Sequence, residues 1–100
     1  MATDATIVAL SWRAGVYAVV EQQQFNGADQ IDWRRLGAAH AWNDVSDGQG
    51  YQDRVMTLSQ DQLEPFLVGA AAREFVARTM NAHTFVYLIH LAEWESGLSD

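Results

Sequence analysis

Histidine is the side chain best suited to acid–base or metal chemistry at neutral pH, and the chain has three: His40, His83 and His90. His83 and His90 stand seven residues apart, so they fall on opposite faces of a strand or two turns apart on a helix. A two-histidine metal site usually has short helical spacing and converging carboxylates, as in His-Glu-x-x-His, and the sequence lacks this motif. We therefore expect no metal site, with His90 half-buried on a strand and His40 at the edge of a helix.

The stretch from Asp44 to Asp53 is rich in carboxylates and glycines, as calcium-binding loops are. An EF-hand loop has oxygen ligands at alternate positions, glycine at the sixth and glutamate at the twelfth, and this spacing is not met here. Gly48-Gln49-Gly50 also lacks the third glycine and the strand-to-helix context of a dinucleotide-binding loop. The sequence predicts a solvated acidic loop.

Nucleophilic and general acid–base catalysis have no recognisable motif in this chain. There is no Gly-x-Ser-x-Gly elbow, and Ser59 is better explained as a helix cap. Cysteine and lysine are both absent, which excludes a thiolate nucleophile, a Schiff base and a phosphate-binding lysine. Glu93 and Glu95 could act as a carboxylate pair, but neighbouring strand carboxylates are usually just solvated. We expect no catalytic residues, no cofactor and no enzymatic activity.

The charge balance bears on the class of partner. All six basic residues are arginine, against 13 Asp and Glu, which gives a net charge of −7. Arg34-Arg35 is the only adjacent basic pair, so direct binding to nucleic acid is disfavoured. No uninterrupted apolar stretch approaches the roughly 20 residues that span a bilayer, and the segment from Met1 to Thr6 has no basic residue to begin a secretory signal. With no cysteine either, we expect a cytoplasmic protein that does not bind membranes.

Tryptophan is the side chain that points to protein contacts. Four tryptophans in one hundred residues are many for a small core, and tryptophan is enriched at the energetic centres of protein interfaces. We expect Trp12 and Trp33 to be structural, and Trp42 and Trp94 to lie in an interface beside acidic groups that attract a basic partner. The candidate partner-binding residues are Trp42, Asp44, Asp47, Asp53, Glu93, Trp94 and Glu95.

These residues must be positioned by a small set of strands and helices. Ile7 to Trp12 and Val16 to Glu21 are rich in β-branched and aromatic residues, and Arg13-Ala14-Gly15 fits a three-residue hairpin loop. A helix over residues 6–24 is the open alternative, although its polar residues would surround the axis. Tyr51 to Leu58 is predicted to be a further strand.

Two helices follow from capping signals. Asp32 can cap a helix that runs from Trp33 to about Asn43, with Ile31 and Leu36 as a hydrophobic staple. Ser59 and Gln62 match a capping box, and the chain is helical in character from Phe66 to Met80. Because proline suits a first helical turn and harms the interior, either the helix proper begins at Pro65 or a short preceding turn runs into it.

The last element is a strand from His83 to Glu93 with apolar residues on both sides, as in a central strand covered on both faces; a buried helix is the alternative. The fold class is therefore α+β: an N-terminal hairpin and two further strands in a small antiparallel sheet, packed with two helices in a single domain, 1–100. A small all-α bundle remains the alternative if the two ambiguous segments are helical.

In its small size, acidity, lack of cysteine and absence of an enzymatic motif, the chain resembles the small phage-encoded inhibitors of host defence, the anti-CRISPR proteins among them. The resemblance implies a non-enzymatic inhibitor that binds a basic, nucleic-acid-binding protein or nucleoprotein complex. Two other functions stay open. One is a homo-oligomeric structural or accessory protein, in which Trp42, Trp94 and an open strand edge form a homodimer interface. The other is a small-ligand binder with a pocket lined by His40, His90 and tryptophan.

Overall fold

The computed structural model describes residues 2–25, 28–45, 51–80 and 82–94. It contains a five-stranded antiparallel sheet with helices packed on it, which confirms the α+β class and excludes the all-α bundle. The strand order is β2-β1-β5-β4-β3. The elements are β1 (Ala2–Arg13), β2 (Val16–Gln24), α1 (Trp33–Ala39), β3 (Asn43–Asp44), β4 (Tyr51–Leu58), α2 (Gln60–Leu63), a 3₁₀ turn (Glu64–Phe66), α3 (Ala70–Met80) and β5 (Val86–Trp94).

The N-terminal hairpin is present, but its loop is shorter than predicted. Arg13 pairs with Val16, so the connection has two residues, Ala14 and Gly15, rather than three. Both have positive φ, 52° and 83°, which is the backbone that matches the right-handed twist of the flanking strands. Glycine adopts this conformation at no steric cost, whereas Ala14 is held in it by the tight turn.

One face of the sheet holds the core. Alternate residues of β1, β4 and β5 point toward the helices, and the register aligns Ile7 with Ile89 and Met56 with Ile89 across the three strands. Phe75 and Val76 of α3 complete this layer from the other side. The buried apolar residues of the cluster are Ile7, Ala9, Phe25, Ile31, Leu36, Met56, Leu58, Leu63, Phe66, Leu67, Ala72, Phe75, Val76, Tyr87 and Ile89.

The first helix is capped as predicted but ends early. The Arg35 backbone N–H donates to the Asp32 carboxylate at 3.1 Å, which satisfies one of the free donors at the helix start. The helix ends at Ala39 rather than near Asn43, because Asn43 and Asp44 form β3 and pair with Val55 and Arg54 of β4.

Between β4 and α3 a short turn precedes the long helix, as one of the two predicted arrangements has it. Ser59 and Gln62 form the expected capping box, which caps the single turn α2, and Pro65 lies in the 3₁₀ turn that follows. The long helix begins at Ala70 rather than Phe66, since Leu67 forms a bridge with Ile31. Among the described residues, no helix combines the length and apolar character needed to cross a membrane.

Candidate interaction surface

The second face of the sheet carries apolar side chains that no helix covers. We call six positions on it the open face; all of them are partly or fully exposed. The register places them together, with Val8 beside Leu88 and Leu10 beside Val86 and Val19. The prediction that β5 is covered on both faces is therefore wrong for the described part of the chain. The open face consists of Val8, Leu10, Val19, Val55, Val86 and Leu88.

Three exposed aromatic rings form a second feature at the hairpin end of this face, the aromatic patch of Trp12, Tyr17 and Phe85. Their exposed fractions are 51%, 52% and 57%. The rings of Trp12 and Tyr17 meet edge to face with centroids 4.8 Å apart, and Phe85 lies 6.4 Å from both. The expectation that Trp12 is a core residue is wrong, because strand pairing sets it opposite Tyr17 beyond the last buried residues of β1.

Two backbone features hold this patch. The Phe85 N–H donates to the Leu10 carbonyl at 2.6 Å, which joins the start of β5 to the hairpin. The β1–β2 register shifts between Ala9 and Leu10, so that β2 has one extra residue, Val20. A bulge of this kind re-aims side chains. Val20 packs against the core, whereas Val19 turns outward and is 61% exposed.

Charge is distributed unequally between the two sides of the molecule. Of the described side chains that the register places on the open-face side, only Asp53, His90 and the phenol of Tyr17 are ionisable. The His90 Nε2 and the Asp53 Oδ1 lie 3.5 Å apart. Five of the six arginines belong to the helical side, in α1, in α3 or at a core-facing position of β4: Arg34, Arg35, Arg54, Arg73 and Arg78.

Glu21 and Arg78 connect β2 to the helical side. The Arg78 guanidinium donates to the Glu21 carboxylate through Nε at 2.8 Å and also through its Nη2, which donates to Gln23 at 3.0 Å as well. The hydrogen bond from Arg78 lowers the pKa of the Glu21 carboxyl, and the same bond raises the pKa of Arg78. This ion pair ties the edge strand to α3 on the face opposite the open face.

Of the sequence-predicted partner-binding residues, three have side chains in the described part of the structure. Trp42 is half-buried and packs against the core, and Asp44 and Asp53 lie at register positions on opposite faces of β3 and β4. Glu93 and Trp94 form the end of β5, but their side chains are outside what the structure describes. Asp47 and Glu95 fall outside the described residues. The partner-binding role of these residues therefore stays a prediction.

Sequence reasoning missed the aromatic patch, although its members are adjacent to a recognisable turn. Trp12 and Tyr17 flank the Ala14-Gly15 turn symmetrically, and a two-residue hairpin aligns such residues across the strands. The three-residue loop predicted from the sequence does not give this alignment. Trp33 is half-buried against the core, in agreement with its expected structural role.

Among the described residues, the structure assembles neither a ligand pocket lined by both His40 and His90 nor a metal site. His40 packs against Phe66 in the helical layer, 5.8 Å between ring centroids, whereas His90 lies on the open-face side, so the two do not line one pocket. Among the described residues, no three His, Asp or Glu side chains are grouped as a metal site needs. A groove of about 220 Å³ between α2 and α3 is lined by four apolar side chains together with Gln60, Glu64 and Arg73, and no histidine or serine lines it. Comparisons with protein-family models, with curated proteins and with solved structures found no match for this chain.

Proposed function

We propose that this chain is a non-enzymatic interaction domain that binds a basic protein through the open face, with the aromatic patch as its anchor. The observation that carries the proposal is the exposure of Trp12, Tyr17 and Phe85 in mutual contact. Small proteins rarely leave large contiguous apolar surfaces exposed without a use, and the patch continues directly into the open face.

The aromatic patch has the properties of an interface centre. Aromatic side chains bury a large area, and the contacts among the three rings limit their freedom before a partner arrives. Tryptophan and tyrosine are the residues most often found to dominate binding energy, typically by about 2 kcal/mol or more each when truncated. The surrounding valines and leucines exclude water from such a centre.

The partner is proposed to be basic because of the charge of the whole chain and its placement. A net charge of −7 attracts cations over a Debye length, and five of the six arginines lie on the other side of the sheet from the open face. A basic protein approaching the open face therefore meets little repulsion. Nucleic-acid-binding proteins have such surfaces, so the proposed role is that of an inhibitor that occupies one, as anti-defence proteins of phages do.

The test is site-specific capture rather than a simple pull-down. A photo-crosslinking amino acid replaces Phe85, and the purified protein is irradiated in a lysate of the cells that carry its gene, at low and at moderate salt. We expect one dominant basic protein among the crosslinked products, with less product at moderate salt. Trp12→Ala, which truncates the neighbouring ring, should lower the yield at least tenfold.

A matched control sits on the helical side. Val68 is exposed like the patch residues but lies between the 3₁₀ turn and α3, and a crosslinker there should not capture the same protein. Capture of that protein equally from Val68 and Phe85, or capture that Trp12→Ala leaves unchanged, would refute the proposed surface. A captured partner that is acidic would refute the charge argument and leave the surface standing.

A further inference from the structure

The open face is also large and apolar enough to be covered by a second copy of this chain. We propose that two copies pack open face against open face when no other partner is bound, so that two sheets form a sandwich with helices on both outer sides. This inference goes beyond the proposed function, since the dimer needs no other protein. Competition between the second copy and the partner does rest on the proposed function, because both occupy one surface.

The area of the face supports a weak dimer. The open face is the apolar part of the uncovered side of the sheet. Four long strands, each paired over about eight residues, give that whole side an extent of about 19 by 27 Å at the usual strand spacing and rise. Two such faces bury about 1,000 Å² as flat surfaces and about 1,200 Å² with side-chain relief, the lower end of what stable interfaces bury. Area alone does not fix affinity, but a face of this size is consistent with a dissociation constant of about 1–100 μM.

The composition of the face allows like-charged chains to meet. Two copies of net charge −7 repel each other at long range, yet the surfaces brought together hold only Asp53, His90 and the phenol of Tyr17 as ionisable groups among the described side chains. The described carboxylates of α2 and α3 and of Glu21 lie on the outer sides of the sandwich, away from the contact. Repulsion is therefore long-ranged and screened by salt, whereas the apolar contact is not.

Leu88 is the residue with which to test this arrangement. It lies on β5 in the middle row of the open face, next to Val8. In the proposed dimer it is therefore close to the two-fold axis that relates the two faces. Leu88→Glu and Leu88→Arg each introduce like charges that face each other in a dimer. A mixture of the two variants instead brings opposite charges together.

The experiment is sedimentation equilibrium of the full chain from about 2 to 300 μM, a range chosen to bracket the expected affinity. The wild type is expected to change from monomer to dimer, with tighter association at 100 mM than at 10 mM salt as the Debye length falls from about 30 to 10 Å. Each Leu88 variant alone should stay monomeric at 300 μM, and the equimolar mixture should recover dimers. Val68→Glu, on the helical side, should dimerise like the wild type.

Three outcomes would overturn the inference: a wild type that is monomeric throughout, a dimer that Leu88→Glu and Leu88→Arg leave intact, or a dimer that Val68→Glu disrupts. The Glu and Arg mixture keeps the test independent of folding, since a misfolded variant cannot be rescued by its counterpart. A monomeric wild type whose Phe85 crosslinks still capture a basic protein would remove the dimer and leave the proposed function. A dimeric wild type whose Phe85 crosslinks capture no partner would remove the proposed function and leave the dimer.

Discussion

The buried hydroxyl pair between α3 and β5 allows a stability prediction to be worked out in full. Thr79 and Tyr87 are each 1% exposed, and their hydroxyl oxygens lie 2.9 Å apart. The Thr79 hydroxyl also lies 2.6 Å from the Phe75 carbonyl, and the Tyr87 hydroxyl donates to the Val76 carbonyl at 3.3 Å. Every buried polar side-chain atom of the described residues has a partner, so this pair is fully satisfied.

Tyr87→Phe should lower the free energy of unfolding at pH 7 by about 1 kcal/mol. The substitution keeps the ring in the core and removes one hydroxyl, whose net contribution is about 0.5–1.5 kcal/mol. No buried group is orphaned, because the Thr79 hydroxyl still has the Phe75 carbonyl at 2.6 Å. In a domain of this size the loss corresponds to a fall in Tm of about 4–8 °C.

The same variant should change how stability depends on alkaline pH. Burial raises the pKa of the Tyr87 phenol above its usual 10.0, an effect that the hydrogen bond between Tyr87 and Thr79 reduces. A pKa that is higher in the folded than in the unfolded state favours folding below the unfolded pKa, and this contribution is lost as pH rises through the folded value. The wild type should therefore lose stability above about pH 10, and Tyr87→Phe should lose less.

Urea unfolding followed by tryptophan fluorescence at pH 7 and pH 11 measures both effects. Tyr17→Phe is the matched control, because Tyr17 is half-exposed on the aromatic patch and has no buried hydroxyl partner in the described structure. We expect this control to unfold like the wild type at both pH values. A loss above about 3 kcal/mol for Tyr87→Phe at pH 7 would mean that the ring packing had changed, and an unchanged alkaline loss would refute the assignment to Tyr87.

Three further substitutions test packing and charge. Gly37→Ala places a Cβ 2.6 Å from the Trp42 Nε1, so it should destabilise the fold and expose the indole. The exposure is seen as a red shift in tryptophan emission. Helix propensity alone would instead make this substitution stabilising by ~1 kcal/mol. Gly69→Ala displaces the Gln30 side chain, whose Oε1 caps the Ala72 N–H, and should cost about 1 kcal/mol. In a Gln30→Ala background, where this side chain is already absent, a double-mutant cycle should show that Gly69→Ala no longer carries this cost. Glu21→Gln should reduce the loss of stability below pH 4.5. The lowered pKa of the Glu21 carboxyl stabilises the fold above the unfolded pKa, and this stabilisation is lost as the pH falls. Equal slopes of unfolding free energy against pH for the variant and the wild type in an acid titration would contradict this.

The elements were predictable from the sequence where local chemistry determines them. Asp32 and Ser59 cap helices as expected, because an N-cap needs only residues within one turn. The hairpin and the strand Tyr51–Leu58 follow from β-branched and aromatic residues between turn signals. The early end of α1 at Ala39 could not be predicted, since it depends on β3 pairing with β4, a contact between distant parts of the chain.

The candidate site was harder to predict because it depends on which face of the sheet the helices cover. β1 and β5 carry apolar residues at both alternating sets of positions, so periodicity alone cannot distinguish a covered face from an open one. The helices cover Ile7 and Ile89, and the opposite set, which includes Val8 and Leu88, is left exposed. The bulge at Val20 then reverses the alternation along β2 and brings Val19 to the open side.

Salt distinguishes the two associations proposed for the open face. A complex of this chain, net charge −7, with a basic protein is favoured by long-range attraction and should weaken as salt screens it. A dimer of two such chains is opposed by long-range repulsion and should tighten under the same change. Because Leu88 lies at the centre of the shared surface, Leu88→Glu should weaken both complexes while preserving these opposite salt trends. A variant that weakened only the dimer would show that the partner binds the aromatic patch without covering the middle of the sheet.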